Sequence, residues 1–265
     1  MIGLGSYAFF WQQSDRVEKP LGLIDVLERS SALGVELFQI CDWAPLEAMT
    51  ERELDDAATA ARRLGLRIQL GTKGVEPDRL ERFLGLAERF SATLVRSMVA
   101  SSGSVTPTRD EAIRMLELAL PGYRAAGVTL TLETYELIPT TTLVEIIDRV
   151  GSDHLGICLD PANVVAALES PRATVELCAD LTRNVHAKDF AFARQPGWVG
   201  FTYSGAPMGE GLHDYRHLLA VVQPRERGID EIVEHWLPWQ GDPESTVEAE
   251  RAWTTAALTY LRSTR

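Results

Sequence analysis

Short segments rich in aliphatic and β-branched residues alternate with longer amphipathic segments along the whole chain. The strand candidates are residues 2–9, 35–41, 67–70, 93–99, 128–134, 155–160, 184–189 and 229–236. The segments between them, such as TERELDDAATAARRLG (50–65) and PDRLERFLGLAERF (77–90), repeat apolar residues every three to four positions, which is the period of an amphipathic helix. Eight strand–helix units without a flexible linker favour a single (β/α)8 barrel, a TIM barrel of the α/β class, over a doubly wound sheet.

One connection is longer than the others. FARQPGWVGFTYSGAPMGEGLHDY, after the seventh strand candidate, is rich in aromatic residues and glycine. Long structured loops of this kind often cover active sites, although a surface excursion without a role is the alternative. We therefore expect one domain over residues 1–265, with a lid-like insertion at about 190–212.

Charge and cysteine content restrict the partners and the location. A formal net charge of -12 argues against nucleic acid and anionic membranes, because both are bound by clustered Lys and Arg. The three cysteines (Cys41, Cys158 and Cys178) have no CxxC spacing, which is typical of reduced structural thiols. The N-terminus lacks a basic region and no apolar run approaches 18 residues, so we expect a cytoplasmic protein. Because the charge argues against nucleic acid and membranes, we expect its partner to be a small molecule.

Ionisable residues stand where four successive strand candidates end. TLTLETYE, GICLDPAN, NVHAKDF and DEIVEHW offer Glu133, Asp160, His186 and Glu234. In a parallel barrel these ends open on one face, and neighbouring strands lie about 4.8 Å apart, so the four side chains can converge. Each carboxylate alone could be a helix cap or a salt-bridge partner, and His186 alone could be an interior histidine that binds no metal. Three carboxylates together would repel unless a cation neutralised them, so the set predicts one divalent cation, Mn²⁺ or Mg²⁺ first, with Co²⁺ also compatible.

Cations and aromatic residues near the same ends suggest substrate contacts. Lys73, Arg96 and Lys188 follow strand candidates and would suit a substrate carboxylate or phosphate, although each could instead pair with a neighbouring acid. Aromatic faces pack against the C–H faces of sugars. Trp11 and Trp198 are the candidates for that contact, with plain packing as the alternative.

The motifs LETYE, GICLDPANVV, VHAKDF, GEGLHDY and IVEHW resemble the sugar isomerase/epimerase family of xylose-isomerase-like TIM barrels, in the family's order. GLGSYAFFW and LGVELFQI, in the first half, resemble it more loosely. The resemblance implies that Glu133, Asp160, His186 and Glu234 hold a divalent metal, and that the two glutamates form an acid/base pair. Many epimerases of the family carry histidine where this chain has Asn163, and an amide cannot shuttle a proton. Asn163 is therefore placed among the candidate substrate contacts.

The resulting first hypothesis is a metal-dependent isomerase or epimerase of a sugar or keto-sugar that works through an enediolate held by the metal. The alternative is a metal-dependent decarboxylase of a branched 3-oxo sugar acid such as 3-oxo-isoapionate. LETYE, VGFTYSGAPMGEG and VEHWLPW are similar to bacterial proteins linked to oxo-isoapionate breakdown, and this reaction requires no histidine at position 163. An abasic-site endonuclease and a non-catalytic sugar-binding barrel are weaker alternatives. The sequence does not determine the exact substrate, whether that substrate is phosphorylated, or whether the chain forms a homo-oligomer.

Overall fold

The computed structural model describes residues 1–100 and 105–264, and eight of its strands form a closed parallel barrel. This confirms the predicted fold. The ten strands are β1 (Ile2–Gly5), β2 (Leu37–Cys41), β3 (Arg67–Gly71), β4 (Leu94–Ser97), β5 (Thr129–Glu133), β6 (Leu155–Leu159), β7 (Thr182–Ala187), β8 (Asp189–Arg194), β9 (Phe201–Ala206) and β10 (Asp230–Val233). The order around the barrel is β1-β10-β7-β6-β5-β4-β3-β2.

Helices cover the outside of the barrel. They are α1 (Leu23–Ala32), α2 (Glu51–Arg63), α3 (Pro77–Phe90), α4 (Arg109–Ala126), α5 (Thr140–Val150), α6 (Pro171–Cys178), α7 (Tyr215–Val222) and α8 (Pro243–Ser263). Helices α2 and α4 start at capping boxes, in which Thr50 pairs with Glu53 and Thr108 with Glu111. Such boxes satisfy N–H groups that the first helical turn leaves without a partner. The helical periods seen at 50–65 and 77–90 are thus confirmed.

Parallel pairing brings the carboxyl ends of all eight barrel strands to one face. In β10 and β7, Ile232 lies opposite His186, and in β5 and β6, Glu133 lies opposite Cys158. Because each strand has the same direction, the residues that follow them gather around one opening. The candidate site lies at this opening.

The first strand is shorter than the sequence predicts. It ends at Gly5, and a 3-10 helix follows over Ser6–Phe9. Ser6 Oγ accepts a hydrogen bond from the backbone N–H of Cys41 on β2, at 3.0 Å, in place of a ladder bond. The last strand likewise ends at Val233 and not at 236, so the chain leaves the barrel directly before Glu234.

The predicted insertion is a two-stranded antiparallel hairpin, β8 and β9, which we call the hairpin (189–206). Asp189 pairs with Ala206 at its base and Arg194 with Phe201 near its tip. Tyr203 docks the hairpin on the barrel, because its hydroxyl donates to the carbonyl oxygen of Ala162. The loop that follows is held at Asp189, whose carboxylate accepts backbone N–H groups of residues 209, 211 and 213.

The three cysteines are buried and unpaired. Within residues 1–100 and 105–264, no helix has the length and apolar character needed to span a membrane.

Candidate functional site

Four ionisable side chains from neighbouring strands meet at the carboxyl-terminal opening of the barrel. Glu133 ends β5, Asp160 follows β6, His186 lies in β7 and Glu234 follows β10. All four are buried, with at most 3% of their surface exposed. The structure therefore brings together the whole set that the strand ends predict.

The His186 ring lies at the centre of the three carboxylates. Its Nδ1 atom is 3.5 Å from Glu133 Oε1, 3.6 Å from Asp160 Oδ2 and 3.4 Å from Glu234 Oε2. In the part of the chain that the structure describes, this atom has no hydrogen-bond partner. A buried nitrogen aimed at three acidic oxygens is the arrangement expected of a metal ligand.

Two buried cations interleave with these carboxylates. Arg96 contacts Glu133 through Nε and Asp42 through NH1, with NH1 at 3.2 Å from Asp42 Oδ1. The Lys188 ammonium lies 2.6 Å from Asp160 Oδ2 and 3.4 Å from Glu234 Oε2. Arg96 and Lys188 are thus each paired with two acids, and Lys73 lies 3.5 Å from Asp42, so the alternative that the sequence left open applies to each cation.

The network around Arg96, His186 and Lys188 fits a divalent cation. Among the described residues it holds four buried carboxylates (Glu133, Asp160, Glu234 and Asp42) and two buried cations, a formal charge of −2 before His186 is counted. Burial opposes a charge on the His186 ring, but Cys158, Glu234 and Glu133 outweigh it and raise the pKa of His186 well above its ordinary value, so a proton on this ring offsets part of that charge when no metal is bound. A buried uncompensated charge of this size is costly, and one divalent ion would balance it. Cys158 also lies within reach of Glu133 and His186. Burial raises the pKa of the Cys158 thiol to about 11, so the oxygen and imidazole donors are the better set for a hard cation.

The pKa values of Glu133 and Glu234 shift in opposite directions. Burial opposes ionisation of Glu133, but Arg96, His186 and Lys188 outweigh it and hold the pKa of Glu133 well below its ordinary value. For Glu234, burial dominates and raises the pKa. Paired carboxyl groups with opposed pKa shifts are a frequent sign of divided acid and base roles.

A cavity of about 180 Å³ opens over this cluster. Among the predicted substrate contacts, Lys73, Arg96, Asn163 and Lys188 line it, together with Glu133 and Glu234. Trp11 lines a neighbouring cavity, where its indole N–H donates to Leu237 O at 2.7 Å. Trp198 lies on the hairpin, 79% exposed. The structure thus places four of the six predicted contacts at the cavity and the two tryptophans away from it.

A sequence profile described as xylose isomerase-like TIM barrel matches residues 27–257 of the chain. The chain belongs to this family. A 3-oxo-isoapionate decarboxylase from Pectobacterium atrosepticum is 48% identical over 260 residues, which cover 98% of this chain and 94% of that protein.

Two solved structures share the fold at low identity. A D-psicose 3-epimerase from Clostridium cellulolyticum H10, with D-tagatose, superposes with a TM-score of 0.74 at 11% identity, covering 99% of this chain and 98% of the other. A xylose isomerase-like protein from Mycobacterium smegmatis, in complex with magnesium, gives a TM-score of 0.71 at 18% identity, covering 97% and 96%. These two similarities extend to the fold alone.

Some residues at the cavity, and one behind His186, were not singled out from the sequence. Asp42 directly follows β2 and adopts a left-handed φ of 51°, and the Tyr7 hydroxyl donates to its Oδ2 at 3.3 Å. The strand-end rule that found Glu133 also applies to Asp42, since it follows a predicted strand. Tyr203 and Gln39 carry no such signal, because they reach the site from the hairpin and from inside the barrel.

Proposed function

We propose that this chain is a divalent-metal-dependent decarboxylase of a branched 3-oxo sugar acid of the 3-oxo-isoapionate type. The observation that carries the proposal is its similarity, over nearly the full length of both chains, to the decarboxylase from Pectobacterium. The buried Lys188 ammonium supports it, because a cation in the cavity suits a substrate that carries a carboxylate.

Glu133, Asp160, His186 and Glu234 are the proposed ligands of the metal, and their oxygen-rich donor set favours Mn²⁺ or Mg²⁺. A bound divalent ion supplies a Lewis acid, which polarises a carbonyl oxygen and stabilises negative charge that develops there.

Lys188 is the proposed contact for the substrate carboxylate. Its Nζ atom lies 4.1 Å from the centre of the Trp236 ring, which holds the ammonium between the aromatic face and the acids. Arg96, held by Asp42 and Glu133, is better suited to orient Glu133 than to bind substrate. Lys73 stands at the rim, 42% exposed.

The chemistry breaks one carbon–carbon bond and adds one proton. The bond between the carboxyl carbon and C2 of the 3-oxo acid breaks, its electron pair forms the C2–C3 double bond, and the C3 carbonyl oxygen takes the negative charge. CO2 leaves, and C2 of the resulting enolate then accepts a proton. Glu234 is the proposed donor. Its Oε1 and Glu133 Oε2 both lack a hydrogen-bond partner among the described residues, but Glu133 Oε2 forms an ion pair with Arg96 and Glu133 Oε1 accepts from Asn163.

Asn163 supports decarboxylation over epimerisation. Its amide donates to Glu133 Oε1 at 2.6 Å and to Thr134 O at 3.1 Å, and its oxygen lies 3.4 Å from Lys188 Nζ. The amide therefore orients two charged groups and transfers no proton itself. Epimerisation requires a base and an acid on the two sides of one carbon, whereas decarboxylation requires one donor.

In this proposal residues 1–265 form one domain, and the hairpin (189–206) is the lid of its cavity. Tyr203 lines the cavity and stacks edge-on against Trp236, with ring centres 5.7 Å apart. A cover at this position would keep bulk water from the enolate.

The test uses the purified protein with Mn²⁺ and 3-oxo-isoapionate in D2O. We expect CO2 release and one solvent deuteron on the new C–H bond of the product. Glu234→Gln should lower turnover by about 10²- to 10⁴-fold, as is usual for loss of a proton-transfer group. The matched control is Glu231→Gln on β10. The Glu231 carboxylate accepts hydrogen bonds from Tyr215 and Arg225 and is not part of the cavity lining.

An isomerase or epimerase is the second candidate, favoured by the opposed pKa shifts of Glu133 and Glu234. It would exchange the substrate α-proton with solvent and leave the carbon count unchanged. That outcome, without CO2 from the 3-oxo acid, would overturn the decarboxylase proposal.

A further inference from the structure

We infer that Gln39, inside the barrel, is a positioning residue that accepts the Nε2–H group of His186 and so directs the Nδ1 atom toward the metal site. The inference rests on the metal site of the proposed function. It concerns a residue that does not reach the substrate cavity, and it can be tested without substrate.

The contact between the two side chains shows which ring nitrogen donates to Gln39. His186 Nε2 lies 2.9 Å from Gln39 Oε1. An amide oxygen only accepts hydrogen bonds, so Nε2 carries a proton and donates it to Gln39. Nδ1 then faces the three acidic oxygens where the metal is proposed to bind.

The orientation of the Gln39 amide is itself determined. Its Nε2 group donates to Gln69 Oε1 and to Asn184 Oδ1, both at 3.1 Å. A flipped amide would aim its oxygen at two other oxygens and its NH2 group at the N–H of His186. All of these side chains are buried, so such unpaired groups would be costly.

A carboxylate at the opposite end of the barrel sets the direction of this chain. Asp230 Oδ2 accepts a hydrogen bond from Gln69 Nε2 at 2.9 Å. Arg67 NH2 and the amino group of Met1 hold the same carboxylate, at 2.9 Å and 3.0 Å. An ionised carboxylate cannot donate, so Gln69 must turn its NH2 group toward Asp230 and its oxygen toward Gln39.

The chain Asp230–Gln69–Gln39–His186 therefore transmits hydrogen-bond direction from the floor of the barrel to the metal site. Without the acceptor at Gln39, the Nε2–H group of His186 loses its partner, and the ring is no longer held with Nδ1 toward the carboxylates of the site. Partners of this kind behind a ligand histidine typically change metal affinity by about 10- to 100-fold.

The test compares wild-type protein with Gln39→Met, which keeps the side-chain length and removes the amide. Mn²⁺ affinity is measured by calorimetry without substrate, and we expect a loss of about 10- to 100-fold. The ¹H chemical shift of the His186 Nε2–H group in metal-free protein is read by ¹H–¹⁵N NMR. We expect the downfield shift of a hydrogen-bonded group in the wild type and an upfield change in the variant, because Met offers no oxygen acceptor.

Two control variants separate this role from general damage to the barrel. Thr131→Val changes a buried side chain of β5 whose hydroxyl has no hydrogen-bond partner within the described residues, and it should leave Mn²⁺ affinity unchanged. Leu116→Ala, at a buried position of α4, should lower stability without changing the Nε2–H chemical shift of His186.

Wild-type Mn²⁺ affinity in Gln39→Met, an unchanged Nε2–H shift, or equal losses in Leu116→Ala would each overturn the inference, and so would wild-type protein that binds no Mn²⁺. Absence of CO2 release by a wild-type protein that binds Mn²⁺ would instead count against the proposed reaction only.

Discussion

At the scale of single residues, Lys188 distinguishes an acid substrate from a neutral one. We expect Lys188→Met to raise KM for the 3-oxo acid by the equivalent of about 1.5 to 3 kcal/mol, the usual contribution of a hydrogen bond to a charged group. Steady-state kinetics would measure this change. Lys19→Met is the matched control, because Lys19 is exposed and is not part of the cavity lining. Equal effects of the two substitutions would remove Lys188 from the carboxylate contact.

At the scale of elements, helix α8 ties down the connection after β1 through a buried carboxylate. Glu250 accepts hydrogen bonds from the backbone N–H groups of Trp11, at 2.7 Å, and Gln12, at 3.1 Å. Burial nevertheless raises the pKa of Glu250 to about 7 from its ordinary value of 4.5. The folded protein thus keeps a proton over this interval that the unfolded chain has already released.

This shift predicts how stability depends on pH. Between pH 4.5 and about 7 the native state binds more protons than the unfolded state, so the free energy of unfolding falls as pH rises. The contribution of Glu250 is on the order of 3 kcal/mol, from about 1.4 kcal/mol per pKa unit. Urea unfolding of wild type and Glu250→Gln across this range should show a flatter profile for the variant, which does not ionise. Parallel profiles would contradict the raised pKa.

The hairpin is the second element with a testable contact. Tyr203→Phe removes the hydroxyl that donates to Ala162 O and keeps the ring against Trp236. Loss of one such bond costs about 1 kcal/mol, which corresponds to roughly fivefold faster amide exchange in the hairpin. Hydrogen–deuterium exchange would measure this, with Phe201→Leu as the control because Phe201 is exposed on the same hairpin. Unchanged exchange in Tyr203→Phe would show that the hairpin is held elsewhere.

At the scale of the whole molecule, the proposed metal ligands come from four strands, so binding should stabilise the barrel as a unit. Free Mn²⁺ at 100 times its Kd should add about 2.7 kcal/mol to the free energy of unfolding. Calorimetry in Mn²⁺ and after EDTA treatment should therefore show a higher Tm with the metal. His186→Ala should abolish the difference, whereas His154→Ala should keep it, because His154 bonds to Val128 O before β5. An equal Tm in Mn²⁺ and EDTA would contradict a metal site here.

Alternation of strand and helix periods was sufficient to predict the closed barrel, because periodicity is a local property of the chain. Strand ends were sufficient to predict which side chains meet, since parallel strands share one carboxyl face. Glu133, Asp160, His186 and Glu234 follow from these two rules alone. Their role as metal ligands stays a prediction.

Only the tertiary structure decided which partners these residues have. The end of β1 at Gly5 depends on the hydrogen bond between Ser6 and Cys41, and the pairing of Arg96 depends on Asp42, 54 residues away. Gln39 meets Asn184 across 145 residues of chain. Such contacts cross the barrel between distant segments, and no local period encodes the direction of a buried hydrogen bond. Closure of the barrel brings these groups together, and their need for partners away from water then selects one arrangement.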